Sequence, residues 1–267
     1  MGKGGGNVIK GLLQKFSKKY TVLFALVVSL VMLLIGTLFS WDEKPVMGLD
    51  KLCADVLITC ACLVIARIIG LQDELGFQKK GFAKGMLYGI PFLIIGVASV
   101  LVSNMGIDWS DLKFISVSNA LIFTVNMLFV GVNEEVWMRS LILNIFLQKY
   151  EKNRKGIWKA ILLSALVFGV IHLPNIFFMD PVTLAVQVIN AASAGVLFAV
   201  IFIKSRNIWA GIVVHAFVDW SSLFVANCFT GGNSIISVAM TIPQAIIVVL
   251  LGSVPPLIIS WIYLRKV

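Results

Sequence analysis

Uncharged apolar runs of about twenty residues, separated by short segments rich in lysine, recur along the whole chain. Runs of that length suit a hydrocarbon core, because about 20 residues rising 1.5 Å each cross roughly 30 Å. The pattern predicts eight transmembrane helices near residues 20–41, 52–71, 85–104, 115–148, 157–176, 182–203, 207–229 and 242–264. The second is the least clear, being bounded by Asp55 and Arg67. Apolar positions do not alternate in ten-residue segments, which sets aside an outer-membrane barrel. The expected fold is an all-α polytopic membrane helical bundle. The first run, Thr21 to Trp41, is too long for the apolar stretch of a signal peptide and is expected to stay as a helix. Residues 1–19 form a basic segment in which Ile9, Leu12, Leu13 and Phe16 stand at helical spacing among lysines. Two readings stay open for it, an amphipathic helix on the anionic inner leaflet and a flexible tail. Residues 20–267 are expected to form a single bundle whose last span is kinked or loosened at Pro255 and Pro256.

Composition agrees with the pattern. Of 267 residues 13% are charged and 59% hydrophobic, whereas a soluble domain carries about 25% charged residues. The net charge of +9 would suggest nucleic acid in a soluble protein, but here topology accounts for it. With alternate loops assigned to alternate sides, all of the 22 Lys and Arg except Lys44, Lys51 and Lys113 fall on one side. The positive-inside rule then puts both termini in the cytoplasm. Membrane lipids are therefore the expected surroundings, and no nucleic-acid partner is expected. Cys53, Cys60, Cys62 and Cys228 have no disulfide or zinc-knuckle spacing and are read as small packing residues.

Ionisable residues inside a span are costly and mark function once partners can be named. Three spans carry them: Asn133-Glu134-Glu135-Val-Trp-Met-Arg139, Phe168-Gly-Val-Ile-His172 and His215-Ala-Phe-Val-Asp219. The chain has only 2 histidines, and both lie in these stretches. Residues four apart share a helix face, so Glu135 is expected to pair with Arg139 and leave Glu134 on another face for chemistry. Phe168 would shield His172, and Asp219 would set the tautomer of His215. At 1.5 Å per residue Glu134, His172 and Asp219 lie about 20 to 25 Å from the cytoplasmic charges, and His215 about 13 Å. The seventh helix is therefore expected to tilt, or Arg206 to sit deeper, around a water-filled pocket below the cytoplasmic face.

In these three motifs the chain resembles the CPBP family of intramembrane proteases, which includes the type II CAAX prenyl endopeptidases and the bacteriocin-processing and immunity (Abi) proteins. The family's signatures are Glu-Glu-x-x-x-Arg, Phe-x-x-x-His and His-x-x-x-Asn or Asp, in that order on separate helices. The stretch from Gly195 through Asn207-Ile-Trp-Ala-Gly to His215 also looks like the family's lead into the third signature. The resemblance covers residues 125–220, and a peptidase core is expected at 115–229. The chain has Met138-Arg139-Ser140 where the family often has Phe-Arg-Gly, and Asp219 where it often has Asn.

The resemblance implies an intramembrane endopeptidase without a cofactor. Glu134 with His172 activates water, and His215 with Asp219 stabilises the oxyanion, while Glu135, Arg139 and Phe168 support them. Because a carboxylate cannot donate to an oxyanion unless protonated, Asp219 is expected to orient a His215 that donates. Two alternatives remain. One is a zinc peptidase with Glu134, His172, His215 and Asp219 as ligands. The other is a non-proteolytic immunity factor or scaffold that binds a sensor or another membrane partner. The expected substrate is a membrane-associated protein or peptide, with prenylated (lipidated) proteins and leader peptides as candidates. The lysine-rich, short-looped chain points to a bacterial cytoplasmic membrane.

Overall fold

The computed structural model describes residues 3–39, 48–233 and 239–265. The end of the first expected span at residues 40–41, and Lys44 and Lys266, lie outside the described residues. Helix α1 (Lys3–Lys19) leads into α2 (Thr21–Phe39), followed by α3 (Leu49–Ile69), α4 (Phe82–Ser103) and α5 (Val117–Glu135). Helix α5 runs on through a π-helical segment, Val136–Leu143, into α6 (Asn144–Tyr150). Then come α7 (Arg154–Val170), α8 (Pro181–Ser205), α9 (Ile208–Cys228) and α10 (Ile242–Leu264).

Among the described residues eight helical stretches are long and apolar enough to cross a membrane: α2, α3, α4, α5 through α6, α7 with the turn after it, α8, α9 and α10. The polytopic helical bundle is therefore as expected, and the doubtful second span is a full helix, Leu49–Ile69. Leu23, Leu30 and Leu34 on α2, Ile94 on α4 and Leu251 on α10 turn outward, as surfaces meant for acyl chains do. Pro255 and Pro256 do not end α10. The basic N-terminal segment is helical from Lys3, and its Gln14 amide donates to the carbonyl of Ile68 at the end of α3. Cys62 and Cys228 are buried as packing residues, whereas Cys53 and Cys60 are exposed.

Lipid tails are as apolar as leucine, so helices in a membrane gain by close packing across small residues. Helix α4 turns Gly85, Gly89 and Gly96 towards Ala210, Val214 and Ser221 of α9, leaving no room for side chains there. Gly131 of α5 meets Ala216 and the carbonyl of Ile212 on the same helix α9. One departure from an all-helical chain fixes the register of α5 on α9. The short strands β1 (Lys113–Phe114) and β2 (Phe229–Thr230) pair antiparallel, Lys113 with Thr230 and Phe114 with Phe229. Asn119 adds a 2.7 Å hydrogen bond from its amide to the carbonyl of Asn227. With the start of α5 tied to the end of α9, the far end of α5 is brought alongside the first half of α9, where His215 lies.

Candidate active site

The three motifs converge between α5, the end of α7 and α9. Nδ1 of His215 lies 2.7 Å from Oε1 of Glu135. Its Nε2 lies 3.3 Å from Oε2 of Glu134 and 3.5 Å from Oδ2 of Asp219. One imidazole thus faces three carboxylates from two helices. Glu134 and Glu135 do stand on different faces of α5, but the His215 ring fits between them, so both reach it. The difference in depth estimated for His215 and Asp219 does not separate them, because both contacts are made by the same helix, α9.

Carbonyl and carboxylate oxygens only accept, so the hydrogen bonding limits the protons on the ring. With Glu135 accepting from Nδ1, Nε2 makes an attractive contact with Glu134 or Asp219 only when it too carries a proton, or when one of those carboxyls does. Spacing predicted Asp219 as the orienting group for His215. In the structure Glu135 takes that place at Nδ1, and Asp219 shares the opposite nitrogen.

Glu135 also meets Arg139, Oε1 to Nη1 at 3.1 Å, with both side chains 1% exposed. The expected pair is therefore present and fully enclosed. The guanidinium rests against the rings of Phe168 and Phe198, 4.7 and 4.9 Å from their centroids. Aromatic faces attract a desolvated cation, so the two rings give the buried Arg139 neighbours besides Glu135. Phe198 also stacks on His215 at 4.6 Å and 20°. Arg139 lies within the π-helical segment, which sequence periodicity read as plain α-helix; such widened turns are frequent at functional sites.

His172 is placed differently from expectation. Helix α7 stops at Val170, and His172 precedes a 3-10 turn, Leu173–Phe177. Pro174 accounts for this: it has no N–H to donate to the carbonyl of Val170, four residues back, and its ring crowds that carbonyl. The four-residue spacing still acts: Phe168 and His172 meet edge to face at 5.2 Å. The ring Nδ1 is 2.8 Å from the carbonyl of Phe168, which makes Nδ1 the donor and leaves Nε2 as the acceptor. Among the described residues no ion pair joins His172 to Glu134, so the two groups expected to share a water do not touch directly.

The arrangement has an enclosed and an open part. Glu135, Arg139 and His215 are buried, whereas the side chains of Glu134 and Asp219 keep 21% and 31% of their surface accessible. Those two and His172 are the groups a substrate or water can reach.

Other positions escaped sequence reasoning. A Cβ on Gly211 would lie 2.8 Å from Oε2 of Glu135, so glycine there admits the carboxylate. Asn207, fully buried, caps α9 through the N–H of Ala210 at 3.0 Å and donates to the carbonyls of Gln78 and Lys80. Asp55 is 1% exposed on α3, pairs with Lys51, and accepts at 2.9 Å from the amide of Asn133, the residue before Glu134. Only Asn207 and Gly211 carried a signal, as part of the stretch leading to His215. Among the described residues no group of three or more His, Cys, Asp or Glu side chains is spaced to hold a metal ion.

The family model described as type II CAAX prenyl endopeptidase Rce1-like matches residues 116–221. The match runs from the first turn of α5 to just past Asp219, so all three motifs fall inside it, and it bears out the resemblance read from them. It supports a CAAX-type intramembrane protease in general, in an integral multi-pass membrane protein. No curated protein matches the chain.

Proposed function

We propose that the chain is an intramembrane endopeptidase that hydrolyses a peptide bond of a membrane-associated protein or peptide, with its peptidase core at residues 115–229. The observation that carries this reading is the single imidazole of His215 among Glu134, Glu135 and Asp219 inside apolar helices. Three carboxylates gathered there are an expensive way merely to lock helices together. Of these three carboxylates, Glu135 with its partner Arg139 is the one enclosed enough to serve as a lock.

In this reading Glu134 is the general base, being the accessible glutamate of the pair. It takes a proton from water as the water attacks the scissile carbonyl, and passes that proton to the leaving amine as the C–N bond breaks. His172, with Nε2 free as an acceptor, orients that water. His215 is held by Glu135 through Nδ1 and donates from Nε2 to the developing oxyanion, a contribution of about 3 kcal/mol for such a donor. Asp219 steers Nε2 from the open side. Arg139 balances the charge of Glu135 and does not touch substrate. The reaction needs no cofactor, because base and oxyanion donor both come from the chain. With both termini on the basic, cytoplasmic side, cleavage falls near the cytoplasmic leaflet.

The test is hydrolysis of a quenched-fluorescent peptide library by purified wild type, Glu134→Gln and His172→Ala, with and without a strong zinc chelator. Cleavage by wild type alone, unaffected by chelation, is expected. Loss on chelation with recovery on adding zinc would replace this mechanism by a zinc-dependent one. If neither wild type nor variants cleave, and Glu134→Gln still supports the cell's phenotype, the chain acts as a binding partner or immunity factor.

A further inference from the structure

A cavity that none of the three motifs lines lies where α1 turns into α2 beside the end of α6. It has a volume of about 540 Å³, and Ser17, Lys18, Thr21, Gln148, Lys149 and Lys152 line its wall. No carboxylate is among the lining residues. Among the described residues, none of the three lysines is in an ion pair. The two hydroxyls are already committed, Ser17 donating to the carbonyl of Gln14 and Thr21 to that of Lys18. One N–H of Lys149 also goes to the carbonyl of Lys18, which fixes its ammonium at the cavity and leaves it further donors. The free donors are therefore three ammonium groups and the Gln148 amide, a set that calls for a compact anion with several acceptor oxygens.

The position of the cavity selects among such anions. Thr21 is the first residue of the first membrane span, and Tyr150, next to Lys149, is the last of the fourth. Headgroups lie at the ends of spans, so the rim stands at their depth. Helix α1 runs beside it with Leu12 and Phe16 exposed among Lys10, Lys15, Lys18 and Lys19, the composition of a helix that lies in an interface. All three lining lysines belong to the basic side of the chain, which faces the leaflet rich in anionic lipid. We infer that this cavity binds the phosphate of an anionic phospholipid headgroup and thereby seats α1 on the membrane surface. The inference does not depend on peptidase activity.

The experiment is native mass spectrometry of the full chain in a neutral detergent, titrated with phosphatidylglycerol, phosphatidylcholine or inorganic phosphate. Wild type is expected to retain one phosphatidylglycerol at saturation, and phosphatidylcholine at least tenfold more weakly. Lys149→Gln and Lys152→Gln each weaken phosphatidylglycerol about fivefold, the worth of one lysine beside an anionic headgroup. The triple variant with Lys18→Gln weakens it roughly a hundredfold. Lys79→Gln/Lys80→Gln, which removes two lysines outside the cavity, stays within twofold of wild type. Thermal melting of each variant checks that it is folded; the single variants, at exposed lysines on the end of α6 and in the turn after it, carry the test if the triple variant melts early. The inference is overturned if the control variant weakens binding as much as the cavity variants. It also fails if phosphatidylcholine binds equally well. Equal affinity for inorganic phosphate would overturn the assignment to lipid.

Discussion

Glu135 and His215, 80 residues apart in the chain, are joined by a 2.7 Å hydrogen bond between Oε1 and Nδ1. The bond closes the contact between α5 and α9 that begins at the β1–β2 pair. The same oxygen faces Arg139 at 3.1 Å, so one carboxylate holds both the imidazole and the buried guanidinium. Glu134, its neighbour, reaches the other nitrogen of the same ring from a position open to solvent.

This division predicts opposite phenotypes for two adjacent glutamates. Glu135→Gln leaves the charge of Arg139 buried without a counter-ion, which costs about 3–5 kcal/mol. The variant should melt well below wild type in detergent. Glu134→Gln removes the base from a partly exposed site and should melt close to wild type while losing peptide hydrolysis. Melting curves and hydrolysis rates of the same preparations check both, and an equally early melt for Glu134→Gln would contradict the assignment.

Gly211 should tolerate no side chain. An added methyl would stand 2.8 Å from Oε2 of Glu135, so Gly211→Ala must push the carboxylate away from His215 or α9 away from α5. At Gly36 the same methyl would meet only Ile58 Cδ1, at 3.7 Å. Gly211→Ala is expected to lose most hydrolysis and Gly36→Ala to retain it, as measured by initial rates with one peptide.

The motif residues were legible because glutamate, arginine, histidine and aspartate stand out in apolar runs, and four-residue spacing translates into a shared face. Glu135–Arg139 and His215–Asp219 follow that rule. The partners each group makes across helices were not legible, since Glu135–His215 depends on the register that β1 and β2 impose. Asp55 lowered the apparent quality of its span, and its partner Asn133 lies 78 residues away. Phe198 is one of 18 phenylalanines, and nothing in the sequence marks it as the ring beneath His215 and Arg139. The four-residue spacing of Phe168 and His172 suits a helix, but Pro174 ends α7 at Val170, so His172 lies just beyond it.

Phe198 offers a test of the aromatic floor. Its ring stacks on His215 at 4.6 Å and lies 4.9 Å from the Arg139 guanidinium. Phe198→Leu keeps an apolar side chain but removes both contacts, worth about 2–3 kcal/mol together for a desolvated cation and a stacked pair. Phe177 is 83% exposed, so Phe177→Leu serves as the neutral control. Reversible denaturant unfolding in mixed micelles should separate the two by that margin. Phe198→Leu should also lower hydrolysis, because His215 loses the surface that fixes its plane.

Asp55 and Asn133 should be energetically coupled. An aspartate 1% exposed within a membrane span costs free energy unless it is paired and hydrogen-bonded. Here Lys51 supplies the charge and the Asn133 amide supplies a 2.9 Å hydrogen bond that joins α3 to α5. Removing either partner leaves the other buried and unsatisfied, so the two losses cannot add. A double-mutant cycle with Asp55→Leu and Asn133→Leu should give a coupling of about 1–3 kcal/mol. Asp55→Leu combined with Asn190→Leu should give a value near zero, because Asn190 bonds to Ser253 on α10 and touches neither group. Asn133 precedes Glu134 directly, so both single variants should also lower kcat more than they raise KM. A coupling near zero would mean that Asp55 is held by Lys51 alone and that α3 does not help to position Glu134.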